Sequence, residues 1–133
     1  MDMEVKIQFQ MVENWEDHLA RFFQAHSARQ VFVLVDSKTR KHCLPKIKAA
    51  LPTGFELIII PDGEAHKTLE TCSLIWAKLT KKNADRKALL LNLGGGVVGD
   101  LGGFCAASYN TTSKIEQQCF AVRIFFGQLG PNQ

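Results

Sequence analysis

The chain predicts an α/β fold, with strands and helices alternating and the strands parallel in one sheet. Two observations carry this. Short apolar runs recur at 31–36, 55–60 and 87–93, the first of them β-branched and aromatic. Between them stand amphipathic stretches with apolar residues three and four positions apart. Such alternation marks βαβ units and a parallel sheet. The 133 residues suffice for one domain with a real core, and 46% hydrophobic with 22% charged residues is ordinary for a globular protein.

Taken in order, VKIQFQM (5–11) alternates apolar and polar residues as a half-buried strand does. NWEDHLARFFQAHSA (14–28) follows as a helix; Trp15, Leu19, Phe22 and Phe23 share one face and Asn14 suits the N-cap. VFVLVD (31–36) is a continuous apolar run, the mark of a strand buried on both faces. RKHCLPKIKAAL (40–51) predicts one helix with Pro45 near its first turn. FELIII (55–60) is the next strand. TLETCSLIWAKLTKK (68–82) is an amphipathic helix whose face carries Leu69, Cys72, Ile75, Trp76 and Leu79. KALLLNL (87–93) is a strand, and VVGDLGGFCAASY (97–109) a helix opening on glycines.

Composition narrows the function classes. The net charge is +3 with lysines and arginines scattered, so no basic stripe for nucleic acid is present. No apolar run approaches the ~20 residues that span a bilayer. The N-terminal MDMEVKIQ lacks the apolar core of a signal peptide. Cys43, Cys72, Cys105 and Cys119 show no CxxC pairing, which favours free thiols in a reducing cytoplasm over zinc. His18, His26 and His42 have no metal-ligand spacing and read as surface residues of helices.

In open parallel sheets, ligands sit outside the carboxyl ends of the strands. That rule selects three loops: Asp36-Ser37-Lys38, the segment 61–67 (PDGEAHK), and the glycine loop after residue 93. The stretch NLGGGVVGDLGGF (92–104) holds six glycines. Gly94-x-Gly96-x-x-Gly99 follows a strand and opens a helix, which suits a diphosphate; missing Cβ atoms admit the anion and the helix end offers free N–H groups. A tight structural turn is the alternative. The loop lacks the Gly-Lys-Ser/Thr of a P-loop. It is also not the first βα turn, where a Rossmann fingerprint sits. Asp36 ends a strand and can accept from ribose hydroxyls, or cap the next helix. Glu64 and Lys67 offer an acceptor and a point charge, or a cap for the helix near Thr68. His66 reads as a general base or as a solvated loop residue.

PDGEAHKTLETCSLIWAKL, then ADRKALLLNLGGGVVGDLGGFCAASY, resembles the N-terminal domain of the 3-dehydroquinate synthase family, from about residue 31 to Tyr109. The two motifs are specific in combination and spacing. The resemblance implies an α/β, Rossmann-like parallel sheet with flanking helices, a single NAD-binding domain over 1–109. It implies conversion of 3-deoxy-D-arabino-heptulosonate 7-phosphate to 3-dehydroquinate and phosphate, in the shikimate pathway. It further implies NAD and a divalent metal, zinc or cobalt, the metal held by a separate C-terminal helical domain. Carried over by position, Asp36 takes the adenosine ribose, and Asp62, Gly63, Glu64, His66 and Lys67 touch NAD. Gly95, Gly96, Val97, Val98, Gly99 and Asp100 form the diphosphate loop, with Asp100 on the nicotinamide side.

After Tyr109 the pattern departs. NTTSKIEQQCFAVRIFFGQLGPNQ lacks the family's basic step and its Pro-Thr-Thr-Leu-Leu motif, and reads as an atypical tail, 110–133, of a truncated or frameshifted sequence. Phe120, Val122, Ile124 and Phe126 alternate and predict an edge strand. The sequon at Asn110 carries no meaning in a cytoplasmic protein. With the metal ligands implied to lie outside these residues, the chain is expected to bind NAD without turning over. Two other readings stay open: a domain of another sugar-phosphate cyclase or of a metal-dependent alcohol or glycerol dehydrogenase, and a non-enzymatic interaction module. In the last, the bared domain interface self-associates, as in a homodimer.

Overall fold

The computed structural model describes residues 7–8, 15–25, 30–85, 88–109 and 121–124. In chain order the elements are β1 (Ile7–Gln8), α1 (Trp15–Ala25), β2 (Val31–Asp36), α2 (Ser37–His42), α3 (Leu44–Ile47), β3 (Glu56–Ile60), α4 (Leu69–Lys81), β4 (Leu89–Leu93), α5 (Gly96–Ser108) and β5 (Ala121–Ile124). Single 3-10 turns follow α3, at Lys48–Ala50, and precede α4, at Glu64–His66. The strands form one sheet in the order β1-β5-β4-β2-β3, parallel at every pairing.

Side-chain alternation along β2 and β4 divides the interior into two cores, because successive residues of a strand face opposite sides. Val31, Val33, Val35, Leu89, Leu91 and Leu93 pack with Leu19 of α1 and with Leu44 and Ile47 of α3. Phe32, Leu34 and Leu90 pack on the other side, against Cys72, Ile75 and Leu79 of α4 and Val98, Leu101 and Cys105 of α5. The continuous apolar runs are thereby explained: β2 and β4 are covered on both faces. Cys43, Cys72 and Cys105 are free and buried. Burial pushes the Cys43 and Cys105 thiols up, and neighbouring Cys72 adds to the shift at Cys105.

The fold class is as the sequence predicts, and two elements differ. The helix expected over 40–51 is broken. It begins at Ser37 because Asp36 and Thr39 make a reciprocal capping box. It stops at His42, since Pro45 has no N–H to continue the ladder and instead opens α3. The alternating run around Val122 and Ile124 forms β5, but not at the edge. It lies between β4 and β1, with Leu91 opposite Val122 and Ile7 opposite Ala121. Two partners hold it, so its place is set by pairing rather than by its own pattern. The rest of the expected first strand, residues 26–28 of the first helix with His26, and most of the 110–133 tail with Cys119 lie outside the described residues.

Candidate nucleotide-binding site

The strand order creates the site. From β2 the chain passes to β3 on one side. From β4 it passes to β5 on the other. The order reverses between β2 and β4, and a crevice opens there beyond the strand ends. Val35 pairs with Leu93, so Asp36 and Gly94 emerge side by side at its two lips.

On one lip, Asp36 is partly buried and caps α2: its Oδ1 accepts from the Thr39 N–H at 2.8 Å, while its own N–H donates to Thr39 Oγ1 at 3.0 Å. The bland reading of Asp36 as a cap is therefore realised through one of its two carboxylate oxygens. Thr39, 1% exposed, is a site residue that sequence reasoning missed. Its signal was the spacing Asp-x-x-Thr, one variant of the capping-box pattern. Asp36→Ala is expected to cost about 1 kcal/mol in urea melts through loss of the cap, and Asp36→Asn to cost little, since asparagine caps equally well.

On the other lip, α5 begins without a side-chain cap. Its first closed turn is the Gly99 N–H onto the Gly95 carbonyl at 3.0 Å, so the amides of Gly96, Val97 and Val98 precede the helical ladder. The glycines divide in role. A Cβ on Gly94 would overlap the Val98 side chain, so that glycine lets α5 close onto β4. Gly95 is exposed, and no described residue lies within 4 Å of where its Cβ would stand. Val98 is buried in the core and can offer a ligand only its backbone. Gly99 has already committed its N–H.

The third loop folds across both lips. Gly63 turns it with φ of 107°, a left-handed value that favours glycine. The 3-10 turn Glu64–His66 follows, with His66 exposed. Thr68 caps α4 by accepting from the Thr71 N–H at 3.2 Å, so Glu64 and Lys67 are free of the capping role the sequence also allowed. Lys67 Nζ instead reaches Asp100 Oδ2 at 3.0 Å and Glu64 Oε2 at 3.9 Å. The hydrogen-bonded Asp100 carboxylate, with Glu64 adding, holds the Lys67 ammonium above the usual lysine range. Lys38, from the first of the three loops, stands 3.7 Å from Asp62 and ties α2 to the same loop. The structure thus brings Asp36, the 61–67 loop and the start of α5 to one end of the sheet.

The family profile described as 3-dehydroquinate synthase N-terminal matches residues 57–118. That match takes in 62 of the chain's 133 residues. The 3-dehydroquinate synthase of Vesicomyosocius okutanii is 43% identical over 84 residues, 62% of this chain and 23% of that protein. That of Listeria monocytogenes serotype 4a is 40% identical over 100 residues, 73% of this chain and 26% of its own. The chain spans about a quarter of the length of such 3-dehydroquinate synthases. Among solved structures, 2-epi-5-epi-valiolone synthase from Streptomyces hygroscopicus, with NAD+ and Zn2+ bound, is similar at 25% identity. Its TM-score is 0.63, over 94% of this chain and 32% of that one. A 2-deoxy-scyllo-inosose synthase complexed with carbaglucose-6-phosphate, NAD+ and Co2+ shares the fold at 14% identity, TM-score 0.58, covering 86% of this chain and 42% of its own.

Among its described residues the chain has no group of three His, Cys, Asp or Glu side chains able to hold a metal. None of its described helices is long and apolar enough to cross a membrane. A small apolar hollow among Phe32, Leu79, Ala88 and Leu90 lies at the opposite, amino end of β4. Its lining is largely apolar, with Asp85 and Tyr109 as its polar members.

Proposed function

We propose that this chain is the NAD-binding part of a 3-dehydroquinate synthase, the enzyme that forms 3-dehydroquinate and phosphate from 3-deoxy-D-arabino-heptulosonate 7-phosphate. One observation carries the reading: exposed Gly95, with open space above it, at the uncapped start of α5 beside the strand-order reversal. A diphosphate lies against Gly95 there. The amides of Gly96, Val97 and Val98 donate to it, aided by the partial positive charge of the helix end. Asp36 accepts from the adenosine ribose hydroxyls with the carboxylate oxygen that the cap leaves over. Asp62, Gly63, Glu64, His66 and Lys67 line the other side, and Asp100 faces the nicotinamide. NAD, when bound, supplies a hydride acceptor to the reaction.

No group of three His, Cys, Asp or Glu side chains among the described residues could hold a metal, and the proposal assigns the chemistry that zinc or cobalt supplies in the family to other residues. The 133-residue polypeptide by itself is accordingly expected to bind NAD without turnover. The likeness to other sugar-phosphate cyclases keeps a cyclase of different substrate as the second reading. Buried free Cys43, Cys72 and Cys105 support a reducing, cytoplasmic setting. Exposed Leu69 and Phe104, on α4 and α5, support self-association as the partner mode. Sedimentation as a monomer at high concentration would remove that part of the reading.

Calorimetric titration with NAD tests the proposal. The wild type is expected to bind saturably, and Asp36→Asn to melt like the wild type while binding about ten- to a hundredfold more weakly, the cost of a hydrogen bond to a charged group. A folded wild-type chain that ignores NAD overturns the reading. Binding unchanged in Asp36→Asn returns Asp36 to its capping role alone.

A further inference from the structure

Resting on the nucleotide reading, we propose that Asp100 is an internal competitor for Lys67, an anion built into the chain that the nucleotide must displace. Lys67 is the cation that joins the 61–67 loop to α5, and it is satisfied without any ligand. Asp100 Oδ2 lies 3.0 Å from its Nζ and Glu64 Oε2 3.9 Å away. The pattern repeats at the neighbouring cation, where Lys38 faces Asp62 at 3.7 Å. Each of these two lysines is thus paired with a carboxylate of its own chain.

The Lys67–Asp100 contact has the properties of an exchangeable latch. It links positions 33 residues apart, so it pins the loop to the helix. Both side chains remain about half exposed, 42% and 52%, and an ion pair so wetted is weak. Asp100 also stands five residues along the helix from Gly95, close enough for its charge to repel an anion seated there within a Debye length. Removing its charge therefore helps an anion twice, by releasing Lys67 and by lifting repulsion. A diphosphate offers Lys67 more negative charge than one carboxylate does, so exchange of partners opens the latch and engages the ligand in one step.

ADP separates this role from contact with the nicotinamide, because it carries the diphosphate and ribose alone. Asp100→Asn is expected to tighten ADP binding about two- to fivefold at low salt, the size of an exposed ion pair. Lys67→Ala is expected to weaken it, and most of the gain from Asp100→Asn to vanish in the Lys67→Ala background. In the ligand-free chain, Asp100→Asn is expected to speed hydrogen exchange at amides 64–68, where the loop is no longer pinned. ADP binding that Asp100→Asn leaves unchanged or weakens overturns the latch while the nucleotide reading stands. A gain that persists without Lys67 overturns it also, leaving only general repulsion. A wild-type chain that binds neither ADP nor NAD overturns the nucleotide reading and the competition with it.

Discussion

Gly95→Asp is expected to leave the chain as stable as the wild type, or a few tenths of a kcal/mol more stable, and to abolish most NAD binding. The backbone there permits it: φ is −84°, within reach of any residue, and no described residue lies within 4 Å of the new Cβ. Gly95 occupies the N-cap of α5 without a side-chain bond, and aspartate is among the best N-caps. Its carboxylate would accept from the amides of Val97 or Val98, the donors assigned to the diphosphate. It would also place a negative charge in the anion's seat. Each hydrogen bond to a charged group contributes about 1.5–3 kcal/mol, so the loss is about tenfold to a hundredfold or more. Paired thermal melts and NAD titrations decide between the two readings of the glycine loop. Retained binding would show a glycine kept for the turn. A collapse in melting temperature would show that the turn itself rejects a side chain.

Gly102→Val is expected to do the reverse, costing about 1–3 kcal/mol of stability by overpacking. Gly102 is buried on the face of α5 that rests on β4, and a Cβ there would fall on the Asn92 carboxamide. Asn92 is 1% exposed and cannot swing out to solvent. Its Oδ1 has no hydrogen-bond partner among the described residues, a state that costs about 1–3 kcal/mol in a buried acceptor. Asn92→Ala is therefore expected to be close to neutral alone, trading lost packing for removal of that unpaired oxygen. In the Gly102→Val background it should restore most of the loss. Urea melts of the four proteins give the coupling, expected at about 0.5–3 kcal/mol as for residues in direct contact. Simple additivity would show that Gly102 is intolerant for a reason other than Asn92.

The two glycines show how far the sequence could be read. Both belong to one glycine-rich run, 94–103, and composition alone treats its members alike. Gly94 and Gly102 serve the seating of a helix on a strand, while Gly95 faces open space. The amphipathic period of α4 and the apolar runs of β2 and β4 were legible because each residue's face follows from its own neighbours along the chain. The break between α2 and α3 was legible in principle, through Asp-x-x-Thr and Pro45. The single helix predicted over 40–51 takes Pro45 as a first-turn residue and leaves Asp-x-x-Thr unread.

The sequence by itself determined the alternation of strands and helices, the parallel sheet, the three loops at its carboxyl end, and the resemblance that the match over residues 57–118 bears out. These follow from local periodicity and from motifs contiguous in the chain. Only the tertiary structure decided that β5 lies inside the sheet, that the strand order reverses between Asp36 and Gly94, and that Lys67 meets Asp100 and Lys38 meets Asp62. The reason is physical. An apolar strand buries equally well beside several partners, so its own pattern does not choose its neighbour. Contacts between charges dozens of residues apart exist only after that choice is made.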